Sequence, residues 1–166
     1  MKETTEKNLK DAFAGESQAH MKYMVFADRA EREGLPNIAR LFRAASLSEQ
    51  IHAANHLKAL GVGKTAENLE VAFGGETFEI TSMYPEYMQV ATADDEKRAL
   101  QSMSDAMEAE KVHASLYARA REAAAASSDM AQVAIFICPV CGYTMEGEAP
   151  ERCPVCSAPS SKYVTF

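Results

Sequence analysis

The sequence has 166 residues, with 17 lysine and arginine residues against 24 aspartate and glutamate residues and a net charge of −7. This acidic balance argues against nucleic acid as a partner, because phosphate binding needs clustered basic side chains. No segment approaches the roughly 20 apolar residues of a membrane span, and the N-terminal residues show no secretory signal. We therefore expect a cytoplasmic protein without membrane contact, built as one main domain with a small appendage.

Four segments of helical periodicity predict four long helices joined by short connections. We expect Thr4 or Thr5 to cap the first helix, Gly34 to end it, and Asp94 or Asp95 to cap the fourth. The predicted helices span about 4–33, 37–60, 65–93 and 96–126. Short connections favour antiparallel neighbours, so the fold class is an all-α four-helix bundle with a small C-terminal domain. The predicted parts are the bundle at 1–128, a linker at 129–134 and a cysteine-rich domain at 135–166.

The third predicted helix contains residues that oppose helix formation. Each of Gly74 and Gly75 costs roughly 1 kcal/mol relative to alanine, and Pro85 costs about 3 kcal/mol. These residues bracket two carboxylates, Glu76 and Glu79, and local rules tend to fail where function overrides them. We expect an irregular backbone beside a functional site. The alternative is that the two glycines form a loop and the helix starts after it.

Two copies of the pattern Glu-x-x-His dominate the sequence. They are Glu49–His52 and Glu110–His113, and each has a glutamate upstream, Glu16 or Glu76. Positions i and i+3 share one face of a helix, so each pattern directs a carboxylate and an imidazole the same way. Two helices that each give a glutamate, and two that each give Glu-x-x-His, are the ligand set of a paired-metal site in a four-helix bundle.

The spacing of these patterns indicates an internal duplication. Glu49 precedes Glu110 by 61 residues, whereas Glu16 precedes Glu76 by only 60. The second half therefore carries one extra residue between Glu76 and Tyr84. Repeats of this kind set the architecture, so the two halves are predicted to be similar helical hairpins.

Several other side chains lie near the predicted ligands. Glu79 is a spare carboxylate at i+3 from Glu76, and the first half has glutamine at the corresponding position. Tyr23 and Tyr84 either hydrogen-bond to ligand carboxylates or belong to an ordinary aromatic core. For His20 and His56 we favour a polar helix face or a packed imidazole over a ligand role. Met21, Met24, Met103 and Met107 are expected to fill the core rather than to act as ligands.

All four cysteines lie in the C-terminal segment, as Cys138-Pro-Val-Cys141 and Cys153-Pro-Val-Cys156. In a reducing compartment this spacing indicates a tetrahedral metal site rather than disulfides. The spacing does not choose between iron and zinc, and a purely structural zinc site stays open. Carboxylate and imidazole ligands in the bundle suit iron or manganese, and two divalent cations would neutralise side chains that are costly to bury bare.

Taken together, these motifs resemble the rubrerythrins, which join a ferritin-like di-iron domain to a rubredoxin-like domain. The resemblance covers nearly the whole chain, from Ala14-Gly-Glu-Ser-Gln-Ala-His-Met-Lys-Tyr23 to the cysteines, and includes Gly75-Glu-Thr-Phe-Glu79 and Met83-Tyr-Pro-Glu86. It implies that His52 exchanges with Glu79 as a ligand when the iron changes oxidation state. The implied catalytic residues are Glu79, His52, Tyr23 and Tyr84. The implied metal ligands are Glu16, Glu49, His52, Glu76, Glu79, Glu110, His113, Cys138, Cys141, Cys153 and Cys156.

The resemblance also implies an activity and partners. It predicts a peroxidase that reduces hydrogen peroxide to water, with two non-haem irons in the bundle and one iron, or zinc, at the cysteines. Electrons would come ultimately from NAD(P)H through a separate reductase or rubredoxin, because no Gly-x-Gly-x-x-Gly fingerprint is present. A homodimer is the implied assembly. The alternatives are a ferroxidase or iron-buffering protein with a structural four-cysteine site, and a zinc-stapled binding module.

Overall fold

The computed structural model describes all residues from 1 to 166, and the chain divides into two compact units. The first unit is Met1–Val62 and the second is Gly63–Phe166. The first unit is a pair of helices, and the second joins further helices to a small β-sheet. None of the helices combines the length and the apolar character that crossing a membrane requires.

The first unit is a helical hairpin made of α1 (Glu3–Arg32) and α2 (Pro36–Leu60). Gly34 ends the first helix with φ +76°, a conformation that glycine adopts without strain, and Pro36 sits in the first turn of α2, where its missing N–H costs nothing. Small residues fill the contact between the two helices: Ala27, Ala30, Ala39, Ser46 and Ala53 are buried. Small side chains let the helix backbones approach closely.

Buried hydrogen bonds join the two helices near the middle of this hairpin. Ser46, 1% exposed, donates from Oγ to the carbonyl oxygen of His20 at 2.9 Å, and His20 Nδ1 lies 2.9 Å from the same hydroxyl. A buried hydroxyl needs such partners, because leaving it unsatisfied costs about 1–3 kcal/mol. His20 is thus a packed imidazole, as we favoured from the sequence.

The helices of the second unit form a second hairpin with an irregular first arm. The arm runs as α3 (Thr65–Phe78), a π-helical turn (Glu79–Met83) and α4 (Tyr84–Ala93), and it packs on α5 (Lys97–Ala125). The three consecutive segments match the single helix predicted over 65–93. Gly74 and Gly75 lie inside α3, so the alternative in which they form a loop is wrong.

Two predicted helix caps are also wrong. α1 begins at Glu3 with Lys2 at its N-cap, so neither Thr4 nor Thr5 caps it. The N-cap of α5 is Glu96, because Asp95 has φ +54° and belongs to the preceding turn. Short polar residues tolerate this left-handed conformation better than most, which is why an aspartate suits a turn as well as a cap.

Residues 135–166, which we call the four-cysteine lobe, form a three-stranded antiparallel sheet and two cysteine turns. The strands are β1 (Ile135–Ile137), β2 (Thr144–Glu146) and β3 (Val164–Thr165), in the order β2-β1-β3. Its small core consists of Cys138, Met145, Cys153 and Ala158. A core of this size cannot stabilise a lobe of about 30 residues alone, so the lobe needs a metal staple.

Candidate metal sites

In the first hairpin the structure brings together Glu16 from α1 and the pair Glu49 and His52 from α2. His52 Nδ1 lies 2.9 Å from Glu49 Oε2 and 3.9 Å from Glu16 Oε1. One ligand atom of each residue lies within 4.8 Å of the others. These are the distances that side chains around a single cation adopt, since each ligand bond is about 2.0–2.2 Å long.

The second hairpin repeats this arrangement with Glu76 from α3 and the pair Glu110 and His113 from α5. His113 Nδ1 lies 2.6 Å from Glu110 Oε2 and 3.8 Å from Glu76 Oε2. Glu76 and Glu110 are mostly buried, and the three ligand atoms again lie within 4.8 Å of one another. The two groups have nearly equal geometry, as the predicted duplication requires.

The π-helical turn accounts for the extra residue of the second half. It starts at Glu79, three residues after Glu76, and its last hydrogen bond runs from the Tyr84 N–H to the Glu79 carbonyl, five residues back. Such a turn holds one more residue than an α-helical turn and often lies at a functional site. The irregular backbone predicted beside the ligands is therefore present.

The acidic side chains of the second group repel one another. Burial, with Glu110 and Glu79 nearby, raises the pKa of Glu76 from 4.5 to about 8, and burial with the Glu110 charge raises the pKa of Glu79. Burial and the same carboxylates raise the pKa of Tyr84, so its phenol stays protonated. A cation would remove this repulsion, which is the behaviour expected of metal ligands.

The two histidines differ in what their outer nitrogen, Nε2, contacts. His113 Nε2 lies 2.6 Å from the hydroxyl of Thr144, which is on β2 of the four-cysteine lobe and is 2% exposed. His52 Nε2 has only Ser48 Oγ at 3.5 Å, and its side chain is 51% exposed. A ligating histidine generally has such a partner at its second nitrogen, but the sequence does not indicate which residue supplies it, since Thr144 is 31 residues from His113.

The two sequence-predicted tyrosines lie in different surroundings. Tyr23 packs in an aromatic cluster, with its ring tilted against those of Phe26 and Phe42 at centroid distances of 6.3 Å and 6.0 Å. Tyr84 follows the π-helical turn and lies near the carboxylates of the second group. A role for either hydroxyl toward a ligand stays a prediction.

The four cysteine sulfurs form a second type of site. All lie within 4.8 Å of one another, with Cys138 Sγ 3.5 Å from Cys156 Sγ and Cys141 Sγ 3.6 Å from Cys153 Sγ. Metal–sulfur bonds of about 2.3 Å in a tetrahedron separate the sulfurs by about 3.8 Å. The cysteines therefore fit a tetrahedral metal without rearrangement.

The cysteines differ in how readily they form thiolate. Burial raises the pKa of Cys141. At Cys156 a hydrogen bond at the Ala158 backbone lowers the pKa, but burial and the neighbouring thiols raise it by more. Burial raises the pKa of Cys138. Hydrogen bonds from the N–H groups of Cys141 and Val140, together with the Cys156 thiol, lower it by a larger amount, so that the net pKa is about 7. The thiolate is the metal-binding form of cysteine, and a pKa near neutrality makes that form available at Cys138, whereas a bound cation would itself stabilise the thiolate at Cys141 and Cys156. This geometry fits iron as well as zinc, because both accept four thiolates.

Comparison with known proteins gives these sites a family. The profile of rubrerythrin matches residues 7–121, and the profile of the rubrerythrin rubredoxin-like domain matches residues 136–164. The chain belongs to the rubrerythrin family. The predicted resemblance and fold class, a ferritin-like helical domain with a C-terminal rubredoxin-like domain, are thus confirmed. The rubrerythrin family comprises di-iron and rubredoxin-like proteins that are generally oxidoreductases.

Individual relatives match over nearly their whole length. Rubrerythrin-2 of Clostridium acetobutylicum is 39% identical, with 95% of this chain and 94% of that protein covered. Nigerythrin of Nitratidesulfovibrio vulgaris is 33% identical, with 98% of this chain and 87% of that protein covered. A solved nigerythrin structure in a fully reduced, all-ferrous state has a TM-score of 0.55 at 33% identity, covering 98% of this chain and 86% of that one. The prediction of di-iron ligand groups and a four-cysteine cluster is confirmed.

Proposed function

We propose that this rubrerythrin is a peroxidase that reduces hydrogen peroxide to water. The observation that carries the proposal is the presence, in one chain, of two matched carboxylate–histidine groups and a tetrahedral four-cysteine cluster. Reduction of one peroxide molecule takes two electrons and two protons and gives two water molecules. The first kind of site suits a paired-iron centre, and the second suits a one-electron carrier.

The ligands of the two irons come from both carboxylate–histidine groups in this proposal. They are Glu16, Glu49, His52, Glu76, Glu79, Glu110 and His113. The third iron is held by Cys138, Cys141, Cys153 and Cys156. When bound by these residues, the paired irons would supply two-electron chemistry, and the iron held by the four cysteines would supply one-electron chemistry.

Glu79 and His52 are proposed to alternate as ligands when the irons change oxidation state. Two features support their choice. His52 is the more exposed histidine and has only a distant contact at Nε2, so its ring is free to leave. Glu79 lies in the π-helical turn, where burial raises the pKa of its carboxyl group. A nearby cation would therefore stabilise its ionised form. Tyr84 keeps its phenolic proton beside these carboxylates and is proposed to donate hydrogen bonds there.

A separate protein must supply the electrons, and the assembly is proposed to be a homodimer. We propose that a reductase or a rubredoxin, drawing ultimately on NAD(P)H, reduces the four-cysteine iron. Large apolar side chains are exposed on the α1–α2 hairpin, including Leu47 at 57% and Ile51 at 52%. Exposed apolar side chains grouped along a helix mark protein–protein contacts, which supports a second copy of the chain as partner.

The proposed function is tested on protein purified without oxygen. We expect about three irons per chain, the reddish absorption of a four-thiolate iron, and bleaching on reduction followed by recovery when hydrogen peroxide is added. Glu79→Ala should slow peroxide turnover about tenfold or more and leave the helical content unchanged. Glu86→Ala, at an exposed position further along the same arm, is the matched control and should turn over peroxide normally.

Other outcomes point to other functions. A chain that holds iron, oxidises it with dioxygen and turns over no peroxide would be a ferroxidase or iron buffer. A colourless chain that holds only zinc would contradict the enzyme altogether. If Glu79→Ala turned over peroxide at the wild-type rate, the proposed role of Glu79 in the ligand exchange would be wrong.

A further inference from the structure

The hydrogen bond between His113 and Thr144 joins the carboxylate–histidine group of the second unit to the four-cysteine lobe of the same unit. His113 Nδ1 faces Glu110 at 2.6 Å, and Nε2 faces Thr144 Oγ1 at 2.6 Å. A histidine that binds a metal through one ring nitrogen donates the other N–H to an acceptor that fixes its ring. We propose that Thr144 is the positioning residue of His113, so that occupancy of the four-cysteine site sets the metal affinity of the Glu76–Glu110–His113 group.

The surroundings of this hydrogen bond make it consequential. Thr144 is 2% exposed, and an open apolar pocket of about 320 Å³ adjoins both residues. Its walls are formed by side chains such as Leu69, Leu116, Ile135 and Ile137. Because the Thr144 hydroxyl is buried, leaving it without a hydrogen-bond partner is costly, and a hydrogen bond beside apolar walls is stronger than in water.

A hydroxyl is the group that suits both states of the histidine. In the neutral ring without metal, an Nδ1–H donates to Glu110, and Nε2 is then the acceptor for the Thr144 hydroxyl. With a cation at Nδ1, the proton must reside on Nε2, which then donates to the same oxygen. Threonine serves in both cases because its hydroxyl is donor and acceptor, whereas valine, of the same shape, is neither.

The position of Thr144 depends in turn on the cysteine turns. Thr144 pairs with Ile137 across the β1–β2 ladder, and the Cys138 N–H donates to the carbonyl oxygen of the residue before Thr144, Tyr143, at 2.9 Å. Many lobes of this size without disulfides need their metal in order to fold, and the small core here places this lobe among them. Loading of the four-cysteine site therefore orders Thr144, and Thr144 orders His113.

The first hairpin has no equivalent buried hydroxyl at Nε2 of its histidine. His52 has only Ser48 Oγ at 3.5 Å, on the same helix, and its side chain is 51% exposed against 31% for His113. The hydrogen bond with Thr144 thus positions the histidine in only one of two otherwise matched groups. This supplies a physical reason why His113 holds its place while His52 is free to exchange, and the inference rests on the proposed metal site to that extent.

The test uses full-length protein with one equivalent of Zn²⁺ in the four-cysteine site, titrated with Co²⁺ and followed by visible absorption. Thr144→Val should weaken the binding of one of the two Co²⁺ ions by about 10–100-fold. Thr144→Ser, which keeps the hydroxyl, should bind like the wild type. Ser48→Ala is the matched control beside His52 and should also bind like the wild type.

A second readout reports the ring itself. Nitrogen NMR of labelled histidine should show a protected Nε2–H on His113 in the loaded wild type and in Thr144→Ser, and its loss in Thr144→Val. Loss of the lobe metal should act like loss of the hydroxyl, so Cys138→Ser combined with Cys141→Ser should weaken the same Co²⁺ ion.

The outcomes separate the inference from the function on which it rests. If wild-type protein binds no Co²⁺ outside the cysteines, the metal site and the inference both fail. If it binds two ions and Thr144→Val binds them equally well with an unchanged His113 signal, only the positioning role fails. Wild-type affinity in the double cysteine variant would overturn the coupling to the four-cysteine site.

Discussion

Glu76 is the side chain whose charge depends most on what its site holds. Burial and the neighbouring Glu110 and Glu79 raise its pKa to about 8, so at neutral pH and without metal it holds its proton. A bound cation reverses this preference, since carboxylates ligate metals in the ionised form. The protonation state of Glu76 at neutral pH therefore depends on whether the site holds a metal.

This difference predicts opposite pH responses of the metal-free and loaded proteins. A raised carboxyl pKa means that the folded state binds more protons than the unfolded state between about pH 4.5 and pH 8. The free energy of unfolding of metal-free protein should therefore fall as pH rises through that window. Glu76→Gln, which mimics the protonated side chain, should flatten the fall and be the more stable protein at pH 8.

Thermal unfolding at pH 5 and pH 8, with chelator and with Co²⁺, measures the effect. The loaded wild type should gain stability over the same window, because metal binding releases protons. Equal pH dependence of metal-free wild type and Glu76→Gln would show that Glu76 ionises at its ordinary pKa.

Among the elements, the α3–π–α4 arm carries the largest conflict between local preference and observed structure. Pro85 lacks the N–H that an α-helix interior requires, and it follows directly on the π-helical turn, in the first turn of α4. Because the wider turn has already broken the α-helical ladder there, the proline costs less than in a regular helix. The same turn places Glu79 beside the ligands, so the irregularity serves the site.

The glycines of α3 lead to a stability prediction. Gly74 is exposed and has a helical backbone, and an added Cβ would meet nothing within 4 Å. Gly74→Ala should therefore raise the free energy of unfolding by about 0.5–1 kcal/mol. Gly63→Ala is the contrasting control, since a Cβ there would lie 2.7 Å from the Glu67 carboxylate, which accepts the Lys64 N–H.

Denaturant unfolding of the two variants measures these changes. Stabilisation by Gly74→Ala and destabilisation by Gly63→Ala are the expected signs. A loss of stability in Gly74→Ala would mean that the space beside this glycine is filled in the native assembly.

For the whole molecule, the thin core of the first hairpin is the governing fact. Its buried residues are four alanines and a serine, while Leu47 and Ile51 stay more than half exposed. Burial of apolar area contributes about 25 cal/mol per Å², so these exposed side chains would add stability in an assembly. This is the physical reason to expect the proposed homodimer.

Sedimentation equilibrium tests the dimer. Wild-type protein should have twice the 18.1 kDa mass of the chain. Leu47→Lys should shift it toward the single chain, whereas Gln50→Lys, which adds the same charge at an exposed polar position, should leave the dimer intact. A wild-type mass of one chain would contradict the homodimer.

The sequence by itself determined the parts that depend on short-range spacing. The i, i+3 patterns at Glu49–His52 and Glu110–His113 give the same local geometry on any helix, and the cysteine spacing defines a tetrahedral set of sulfurs. Even the extra residue of the π-helical turn was visible, as a one-residue offset between the two halves. The predicted domain boundaries at 128 and 135 stay predictions.

Only the tertiary structure decided what lies far apart in the chain. The wrong caps at Thr4 and Asp95 show that the residue at which a helix starts is weakly determined by sequence when several polar candidates lie within a few positions. The pairing of His113 with Thr144 joins a helix to a separate lobe, and no periodicity encodes it. Local patterns fix which side chains share a face, whereas contacts between elements depend on how whole surfaces pack.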